Sequence, residues 1–376
     1  MKSLKIYVLF FLVGVGVGVG FAQDPSTSVN DPTEDLFDIE TVIGDIISPW
    51  GLVFLNDGSM LISDRGGALI IFKDNKKSFV KNTPEVVAKG QGGFLDLELH
   101  PDYDKNGWIY MSYSSPEGPG EGAHTALIRF KLISGLMINK ETLYKAGPNT
   151  TKGQHFGSRI EFDDQGYLYL TIGERGERDV NPQDIKRDGG KVYRFYDDGR
   201  IPDDNPFVGV AGAKPAIYSY GHRNPQGMIF HPKRKELWVH EHGPRGGDEI
   251  NIIKKGKNYG WPISTYGINY SGTPIKSDID QTEGIELPIH YWIPSIAPSG
   301  MCYVDSSKYP QWKGNLLVGS LSFAYLERLV LEGTKVTYRE RLLKDIGRVR
   351  NVRQGPDGYI YLGVEGKGIL KLIPKS

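Results

Sequence analysis

A histidine that precedes an apolar stretch is one candidate proton acceptor in this chain. His155 lies in the segment GQHFGSR, residues 153–159, and imidazole is the side chain best suited to accept a proton near neutral pH. Gln91, in the segment GQGG, precedes another apolar stretch in the same way. A single histidine is more often structural, so its surroundings must decide between a catalytic base and a structural role.

Arginines occupy corresponding positions in two further segments. Arg223 and Asn224 lie in GHRNPQG, whereas Arg348 and Arg350 lie in GRVRN, on the same side of an extended strand. If these segments converge on one axis, the guanidinium groups surround His155, and their mutual repulsion requires a bound anion. The alternative is that each arginine pairs with a local carboxylate on a different blade. The sequence leaves both open.

The segment EHGPRGGDEI, residues 241–250, is polar and glycine-rich between two predicted strands. Main-chain carbonyls freed by glycine and proline, with Asp248 or Glu249, suit Ca²⁺, which takes oxygen ligands in flexible geometry. A turn without a metal is an equal alternative. Zinc is disfavoured because His240 and His242 have no third ligand at the usual spacing.

These segments belong to a unit that recurs along the chain. Each copy has an alternating apolar strand, a turn with Asp, Asn or Pro and Gly, a second strand rich in Tyr, Leu and Ile, and a Gly-bearing turn into a third strand. Six copies begin at Trp50, Phe94, Phe156, Asn224, Ser299 and Val349. A repeated unit of this kind predicts a repetitive architecture.

Both faces of the second strand are apolar, as in residues 167–172, so one sheet cannot bury itself. Radial stacking solves this, and we therefore predict an all-β, six-bladed β-propeller of four-stranded antiparallel blades over residues 36–376. Residues 36–46 alternate like a strand and are predicted to close the ring by joining the last copy. Long inserts are predicted between blades, where a site could form, at residues 116–122, 176–188, 197–215 and 261–288.

Composition excludes several classes of protein. The 376 residues carry 45 Lys+Arg and 45 Asp+Glu, and this neutral balance disfavours a protein that binds nucleic acid. The 48 Gly and 23 Pro are spread along the chain, which is typical of many tight turns. The single cysteine, Cys302, allows no intramolecular disulfide.

The N-terminus resembles a secretory signal peptide. Lys2 and Lys5 precede an apolar run over residues 6–21 that ends in Gly-Phe-Ala, and this run is short for a membrane span of about 20 residues. We predict that residues 1–22 are removed, that residues 23–35 form a polar lead-in, and that the mature protein is periplasmic or secreted without a membrane span.

Taken together, the motifs resemble the soluble glucose and aldose sugar dehydrogenases that depend on pyrroloquinoline quinone (PQQ), from about residue 49 to residue 372. GHRNPQG followed by EHGPRGGDEIN is the most specific part, joined by GQHFGSRI, KGKNYGWP and RVRNVRQGPDGYIYLG. The family is a six-bladed propeller, in agreement with the repeat count. The resemblance is closer to the broader aldose sugar group, because Gln154 stands where glucose-type members have an acidic residue.

The resemblance implies roles for individual residues at the reacting centre. It assigns His155 as the base that takes the proton of the sugar C1 hydroxyl while hydride passes from C1 to the quinone. Gln91 lies beside this base at the substrate. Arg223 and Asn224 contact the quinone, and Arg223 stabilises the negative charge of the reduced cofactor.

The resemblance also implies two Ca²⁺ sites. The carbonyls of Gly243 and Pro244 match ligands of a Ca²⁺ that holds the quinone and acts as a Lewis acid. Glu249 and the carbonyl of Tyr259 match ligands of a second, structural Ca²⁺.

The cofactor carboxylates are assigned to Arg348 and Arg350 by the same resemblance. A departure lies nearby, since Ser322 replaces a lysine that commonly pairs with the cofactor in the family. Losing one charge-assisted contact costs about 1.5–3 kcal/mol of binding.

The sequence thus favours an exported quinoprotein that oxidises aldoses at C1 to lactones and passes electrons to an acceptor that the sequence does not identify. A calcium-dependent lactonase-like hydrolase is the alternative enzyme, although it needs carboxylates and amides around a central metal. A non-catalytic ligand-binding propeller is the third hypothesis, motivated by Ser322.

Overall fold

Six antiparallel sheets surround one central axis in the computed structural model, which describes residues 29–31, 36–275 and 283–375. The predicted six-bladed propeller is confirmed, and each repeated segment supplies the inner strands of one blade. The predicted signal peptide, residues 1–22, lies outside the described residues. Within the described part, no helix is long and apolar enough to cross a membrane.

Each blade runs outward from an innermost strand that is first in its repeat. Blade 1 contains β3 (Pro49–Phe54), β4 (Met60–Asp64), β5 (Ala68–Lys73) and β6 (Lys76–Phe79). Blade 2 contains β7 (Phe94–Leu99), β8 (Ile109–Ser115), β9 (His124–Ile133) and β10 (Leu136–Lys145). Blade 3 contains β11 (Ile160–Phe162), β12 (Leu168–Ile172), β13 (Lys191–Phe195) and β14 (Ile217–Tyr220). The helical segments of the described chain are one turn, α1 (Tyr103–Asn106), and a 3₁₀ turn, Pro310–Trp312.

Blades 4 to 6 follow the same order, with additions from the N-terminus in the last two. Blade 4 contains β15 (Pro225–His231), β16 (Glu236–Glu241), β17 (Asp248–Ile253) and β18 (His290–Trp292). Blade 5 contains β19 (Pro298–Tyr303), β20 (Leu316–Ser320), β21 (Leu326–Glu332), β22 (Lys335–Leu342) and β1 (Val29–Asn30). Blade 6 contains β23 (Val349–Gln354), β24 (Ile360–Val364), β25 (Gly368–Pro374) and β2 (Phe37–Ile43).

The N-terminal strands attach to the last two blades. The predicted closing strand is confirmed, because β2 pairs antiparallel with β25 and completes blade 6. Upstream, β1 lies within the predicted lead-in and pairs in parallel with β22, so blade 5 has five strands. Asp31, which follows β1, pairs with Arg341 at 3.1 Å and with Lys344.

Apolar side chains between neighbouring blades form the core. Six buried clusters occupy the six interfaces around the ring. The alternation of β12 shows how one strand serves two interfaces, since Leu168 and Leu170 pack toward blade 2 and Tyr169 packs toward blade 4. The innermost strands approach so closely that a Cβ at Gly51 would lie 2.7 Å from the main-chain nitrogen of Leu97 in the next blade.

One buried arginine near the axis bonds to four other blades. Arg159, in blade 3, donates from Nε to the carbonyl of Gln226 at 2.6 Å and from Nη2 to that of Arg350 at 3.0 Å. Its Nη1 lies 3.1 Å from an Asp96 carboxylate oxygen, and its guanidinium stacks 3.9 Å from the Trp50 ring. This residue therefore links blades 1, 2, 4 and 6 through blade 3.

The long inserts lie within blades, so the prediction that they lie between blades is wrong. Residues 116–123 and 173–190 connect the second and third strands of blades 2 and 3, and residues 196–216 and 254–289 connect the third and fourth strands of blades 3 and 4. Connections between blades can be short, because an outermost strand ends at the same end of the ring where the next innermost strand begins. Residues 221–224 are one such connection.

Candidate active site

Most of the candidate residues lie at two kinds of position in the blades, whereas Arg350 and Glu249 lie within β23 and β17 and Tyr259 lies in the insert that follows β17. Some come directly before an innermost strand, and others come directly after a second strand. Because the first two strands of a blade are antiparallel, both positions lie at the same end of the ring. The first group comprises Gln91, His155, Arg223, Asn224 and Arg348, and the second comprises Glu174, Gly243, Pro244, Ser322 and Glu365.

A pocket of about 370 Å³ opens at this end, and His155, Arg223 and Pro244 line it. His155 Nδ1 is hydrogen-bonded to Glu174 Oε1. Glu174 is itself held by its main-chain N–H, which donates to the carbonyl of Arg223 at 2.8 Å. With Nδ1 engaged by a carboxylate, Nε2 is the imidazole nitrogen left to accept a proton.

The main chain of His155 is fixed in an uncommon conformation. Its φ is +56°, in the left-handed region, and its N–H donates to Oε1 of Gln91 at 2.9 Å. The two residues that the sequence placed beside each other are therefore in direct contact. Such conformations persist in side chains other than glycine when surrounding contacts stabilise them.

Burial dominates the acid–base behaviour of this histidine. Desolvation lowers the pKa of His155 below its usual value, the hydrogen bond to Glu174 acts in the opposite direction, and the charge of Arg223 lowers it further. The imidazole is consequently neutral at pH 7, which is the protonation state that a general base requires.

Arg223 and Asn224 lie next to the histidine. Arg223 Nη1 donates to the carbonyls of His242 at 3.0 Å and Gly243 at 2.8 Å. The fully buried amide of Asn224 accepts from the N–H of Gly157 at 3.2 Å, and its Nδ2 has no hydrogen-bond partner among the described residues. An unpaired buried donor costs free energy, so this amide is poised for an acceptor that the protein does not supply.

The other two arginines share one local carboxylate. Arg348 Nε lies 2.6 Å and Arg350 Nη2 lies 2.7 Å from the carboxylate of Glu365, which follows β24 in the same blade. Although burial acts to raise the pKa of Glu365, the two arginines outweigh it and lower that pKa to about 2. Arg348 and Arg350 thus share one carboxylate within a single blade, whereas the alternative considered from the sequence gave each arginine a carboxylate on a different blade.

Ser322 lies next to this ion pair. It is exposed, and its N–H donates to the carbonyl of Ile296 at 3.1 Å. The carbonyl of the preceding residue, Leu321, accepts from Arg348 Nη1 at 2.9 Å. The turn that departs from the family pattern is thus in direct contact with one of the assigned arginines.

The segment after β16 borders the pocket. Pro244 lines the pocket, and the carbonyl of Gly243 accepts a hydrogen bond from Arg223 Nη1. The Gly243 N–H donates to Asp248 Oδ1 at 2.8 Å, and Ser295 donates to both oxygens of the same carboxylate. Asp248 therefore shapes this turn by accepting hydrogen bonds.

A second, much smaller cavity lies behind this turn. It measures about 10 Å³, enough for a single small occupant, and Glu241, Glu249 and Tyr259 are among the residues that line it. Burial and then the charge of Glu241 raise the pKa of Glu249 well above its usual value. Two buried carboxylates with nearby carbonyls form an oxygen donor set that fits Ca²⁺. The described residues contain no group of three or more His, Cys, Asp or Glu side chains that could hold a metal, so main-chain ligands are needed.

Several residues of the pocket were not assigned from the sequence. Glu174 was visible in TIGERG, directly after a predicted strand, yet only its contact with His155 reveals its importance. Trp261 lies 5.3 Å from the Arg223 guanidinium, and Arg178 donates to Asn269 at 2.7 Å across the pocket. The last two come from different inserts, so no local sequence signal joins them.

Comparisons with known proteins identify the family of the chain. The family model described as glucose/sorbosone dehydrogenase matches residues 46–372. Aldose sugar dehydrogenase YliI of Escherichia coli (strain K12) is 44% identical over 349 residues, which cover 90% of this chain and 93% of that protein.

Solved structures show the same similarity in three dimensions. The apo form of the soluble aldose sugar dehydrogenase from Escherichia coli has a TM-score of 0.87 and 42% identity, covering 90% of this chain and 100% of that one. The PQQ-bound aldose sugar dehydrogenase from Streptomyces coelicolor has a TM-score of 0.73 and 27% identity, covering 92% and 100% of the two chains. The chain therefore belongs to the glucose/sorbosone dehydrogenase family.

Proposed function

We propose that this protein is an exported sugar dehydrogenase that uses PQQ to oxidise the C1 hydroxyl of aldoses to lactones. The observation that carries the proposal is the pair of His155 and Glu174, which lies in a pocket next to Arg223 and Pro244. Two relatives whose names or titles describe aldose sugar dehydrogenases, one of them bound to PQQ, support the substrate class and the cofactor.

The residues of the chain have distinct tasks in this reaction. His155 Nε2 accepts the proton of the C1 hydroxyl as the C1 hydrogen leaves as hydride. Glu174 holds the imidazole by its Nδ1–H and stabilises the imidazolium that forms. Gln91 keeps the main chain of His155 in place.

The residues present fit the proposed cofactor. Asn224 offers an unpaired buried donor, and Arg223 offers a guanidinium in the same region. When bound, PQQ supplies a two-electron acceptor for hydride. Arg348 and Arg350 would bind the carboxylates of PQQ, which would replace part of their pairing with Glu365.

Calcium would use the oxygens that the two cavities present. The carbonyls of Gly243 and Pro244 would bind one Ca²⁺, whose chemical contribution is that of a Lewis acid. Glu249 and the carbonyl of Tyr259 would bind a second, structural Ca²⁺ at the small cavity, where the positive charge relieves the repulsion between Glu249 and Glu241.

The proposal is tested by adding PQQ and Ca²⁺ to the purified protein and following dye reduction with a panel of aldoses. We expect reduction with at least one aldose, and its loss in His155→Asn with quinone binding retained. His100→Gln, directly after β7 and so at the opposite end of blade 2, is the matched control and keeps the wild-type rate. Failure of every aldose to reduce the dye, or full activity in His155→Asn, would contradict the proposal.

A ligand-binding protein without activity is the second candidate, favoured by the exposed Ser322 and by the pairing of Arg348 and Arg350 with Glu365. Sugar binding without any dye reduction would support it. A lactonase-like hydrolase needs several carboxylates at its metal, and hydrolysis of lactones without added quinone would support that alternative.

A further inference from the structure

A second large pocket lies beside the candidate active site, between blades 2 and 3. Its volume is about 630 Å³, within the range of ordinary small-ligand sites. Its lining includes five cationic side chains and two carboxylates. The cations are Lys145, Arg175, Lys186, Arg187 and Lys214, and the carboxylates are Glu177 and Asp188. We call it the basic pocket.

Both carboxylates of the basic pocket are already engaged. Glu177 lies 2.6 Å from the ammonium group of Lys152. Asp188 has no exposed side-chain surface, accepts a hydrogen bond from the hydroxyl of Tyr193 at 2.8 Å, and lies 2.7 Å from Lys214. Among the described residues, neither carboxylate forms an ion pair with any of the other four cations.

Four cations of the basic pocket have no carboxylate partner among the described residues: Lys145, Arg175, Lys186 and Arg187. Lys145 Nζ donates to a main-chain carbonyl and to Asn149 Oδ1, each at 2.8 Å. Arg187 Nε donates to Asn181 Oδ1 at 3.0 Å. Burial lowers the pKa of Lys145 to about 8, and the charge of Arg175 acts in the same direction, whereas the charges of Asp188 and Glu117 act to raise it. A bound anion gives the largest electrostatic stabilisation to cations whose hydrogen-bond partners are all neutral oxygens.

Arg175 forms the wall between the basic pocket and the catalytic histidine. Its side chain is fully buried, and Nη2 donates to the carbonyl of Lys152 at 2.7 Å while Nη1 donates to that of Gln154. Its guanidinium lies 3.4 Å from the ring of Phe156. The basic pocket is therefore separate from the 370 Å³ pocket and touches the segment that carries His155.

We propose that the basic pocket binds a small polyvalent oxyanion of the phosphate type. Arginine and lysine side chains supply charge-assisted hydrogen bonds to tetrahedral oxyanions, and the volume leaves room for an organic group attached to such an anion. The site differs from the proposed cofactor site, whose arginines lie on blade 6 and are paired with Glu365. The proposal does not depend on the proposed enzymatic activity.

Isothermal titration calorimetry of the full-length purified protein without added quinone tests this site. The probes are inorganic phosphate and sulfate, with acetate as a monovalent comparison, at a constant ionic strength of about 0.15 M to hold screening fixed. We expect saturable binding of one phosphate or sulfate per chain and at least tenfold weaker binding of acetate.

Variants place the binding in the molecule. Lys186→Gln combined with Arg187→Gln changes two exposed residues at the pocket and is expected to weaken phosphate binding at least tenfold. Lys140→Gln combined with Lys335→Gln removes two exposed charges elsewhere and is the matched control, expected to bind as the wild type does. Lys145→Met gives a second, independent loss.

Three results would overturn the proposal. The first is the absence of saturable binding of either divalent anion at constant ionic strength. The second is binding that is unchanged in Lys186→Gln with Arg187→Gln, which would place the anion elsewhere, for example at Arg348 and Arg350. A matching loss in the control variant would equally assign the effect to overall charge and contradict the site.

Discussion

Replacing Glu174 by glutamine tests the acid–base arrangement most specifically. The change keeps the size of the side chain and removes the negative charge that faces His155 Nδ1. A charge-assisted hydrogen bond of this kind contributes about 1.5–3 kcal/mol. If that stabilisation acts on the imidazolium formed in the transition state, kcat/KM falls about 10- to 150-fold, since about 1.4 kcal/mol corresponds to tenfold.

The pH dependence of kcat/KM is expected to change in a defined direction in this variant. In the wild type, burial lowers the pKa of His155 while the hydrogen bond to Glu174 raises it. Without the carboxylate, the pKa decreases further, so the imidazole stays neutral at lower pH. The acid limb of kcat/KM, already below pH 6.5 by the direction of the shift, therefore moves to lower pH in Glu174→Gln.

The assay is steady-state dye reduction by an aldose over a range of pH, with PQQ and Ca²⁺ saturating and quinone binding measured separately. Glu40→Gln, an exposed position on β2, is the control for removal of one carboxylate and retains both rate and profile. A kcat/KM within twofold of the wild type, or an acid limb that moves to higher pH, would refute the assigned role of Glu174.

Three further predictions concern stability and cofactor affinity. Arg159→Met leaves the buried Asp96 without its ion pair and removes hydrogen bonds to other blades, so urea denaturation should show that the free energy of unfolding falls by about 3–5 kcal/mol. In the control Arg234→Met, which loses an exposed ion pair, the free energy of unfolding should fall by at most about 1 kcal/mol. Equal effects of the two changes would contradict the central role of Arg159. Ser322→Lys should tighten PQQ binding about 10- to 100-fold through one charge-assisted contact near Arg348, and unchanged or weaker binding in a quinone titration would count against the alignment of that turn. Ca²⁺ at 100 times its Kd should stabilise the folded protein by about 2.7 kcal/mol. This stabilisation should be measured as a rise in Tm that a chelator reverses and that Glu249→Gln largely removes. A Tm that does not respond to the chelator would argue against calcium at the small cavity.

The repeat pattern was sufficient to predict the architecture. Each second strand is apolar on both faces, and β12 shows why, since Leu168 and Tyr169 pack into different interfaces. The closing strand was predictable because residues 36–46 alternate like a strand and precede the first full copy of the repeat. The positions of the inserts were not predictable from the repeat pattern. Which connections can be short depends on the direction in which each strand runs, and the repeat pattern does not show that direction.

The contacts of the site depended on tertiary structure. Spacing placed Gln91 and His155 before innermost strands, and a convergent ring then brought them together. The pairing of Arg348 and Arg350 with Glu365 depends on which residue follows β24 at the same end of the blade, a detail that composition and periodicity do not contain. Glu174 escaped assignment for the same reason.

The most direct test of the central claim is a single-turnover experiment. The protein is loaded with PQQ and Ca²⁺, an excess of aldose is added without oxygen or dye, and the absorption of the bound quinone and the lactone produced are measured. We predict one lactone per bound quinone in the wild type and none in His155→Asn at equal quinone occupancy. Full quinone binding without lactone in the wild type, or the same yield in His155→Asn, would contradict the account.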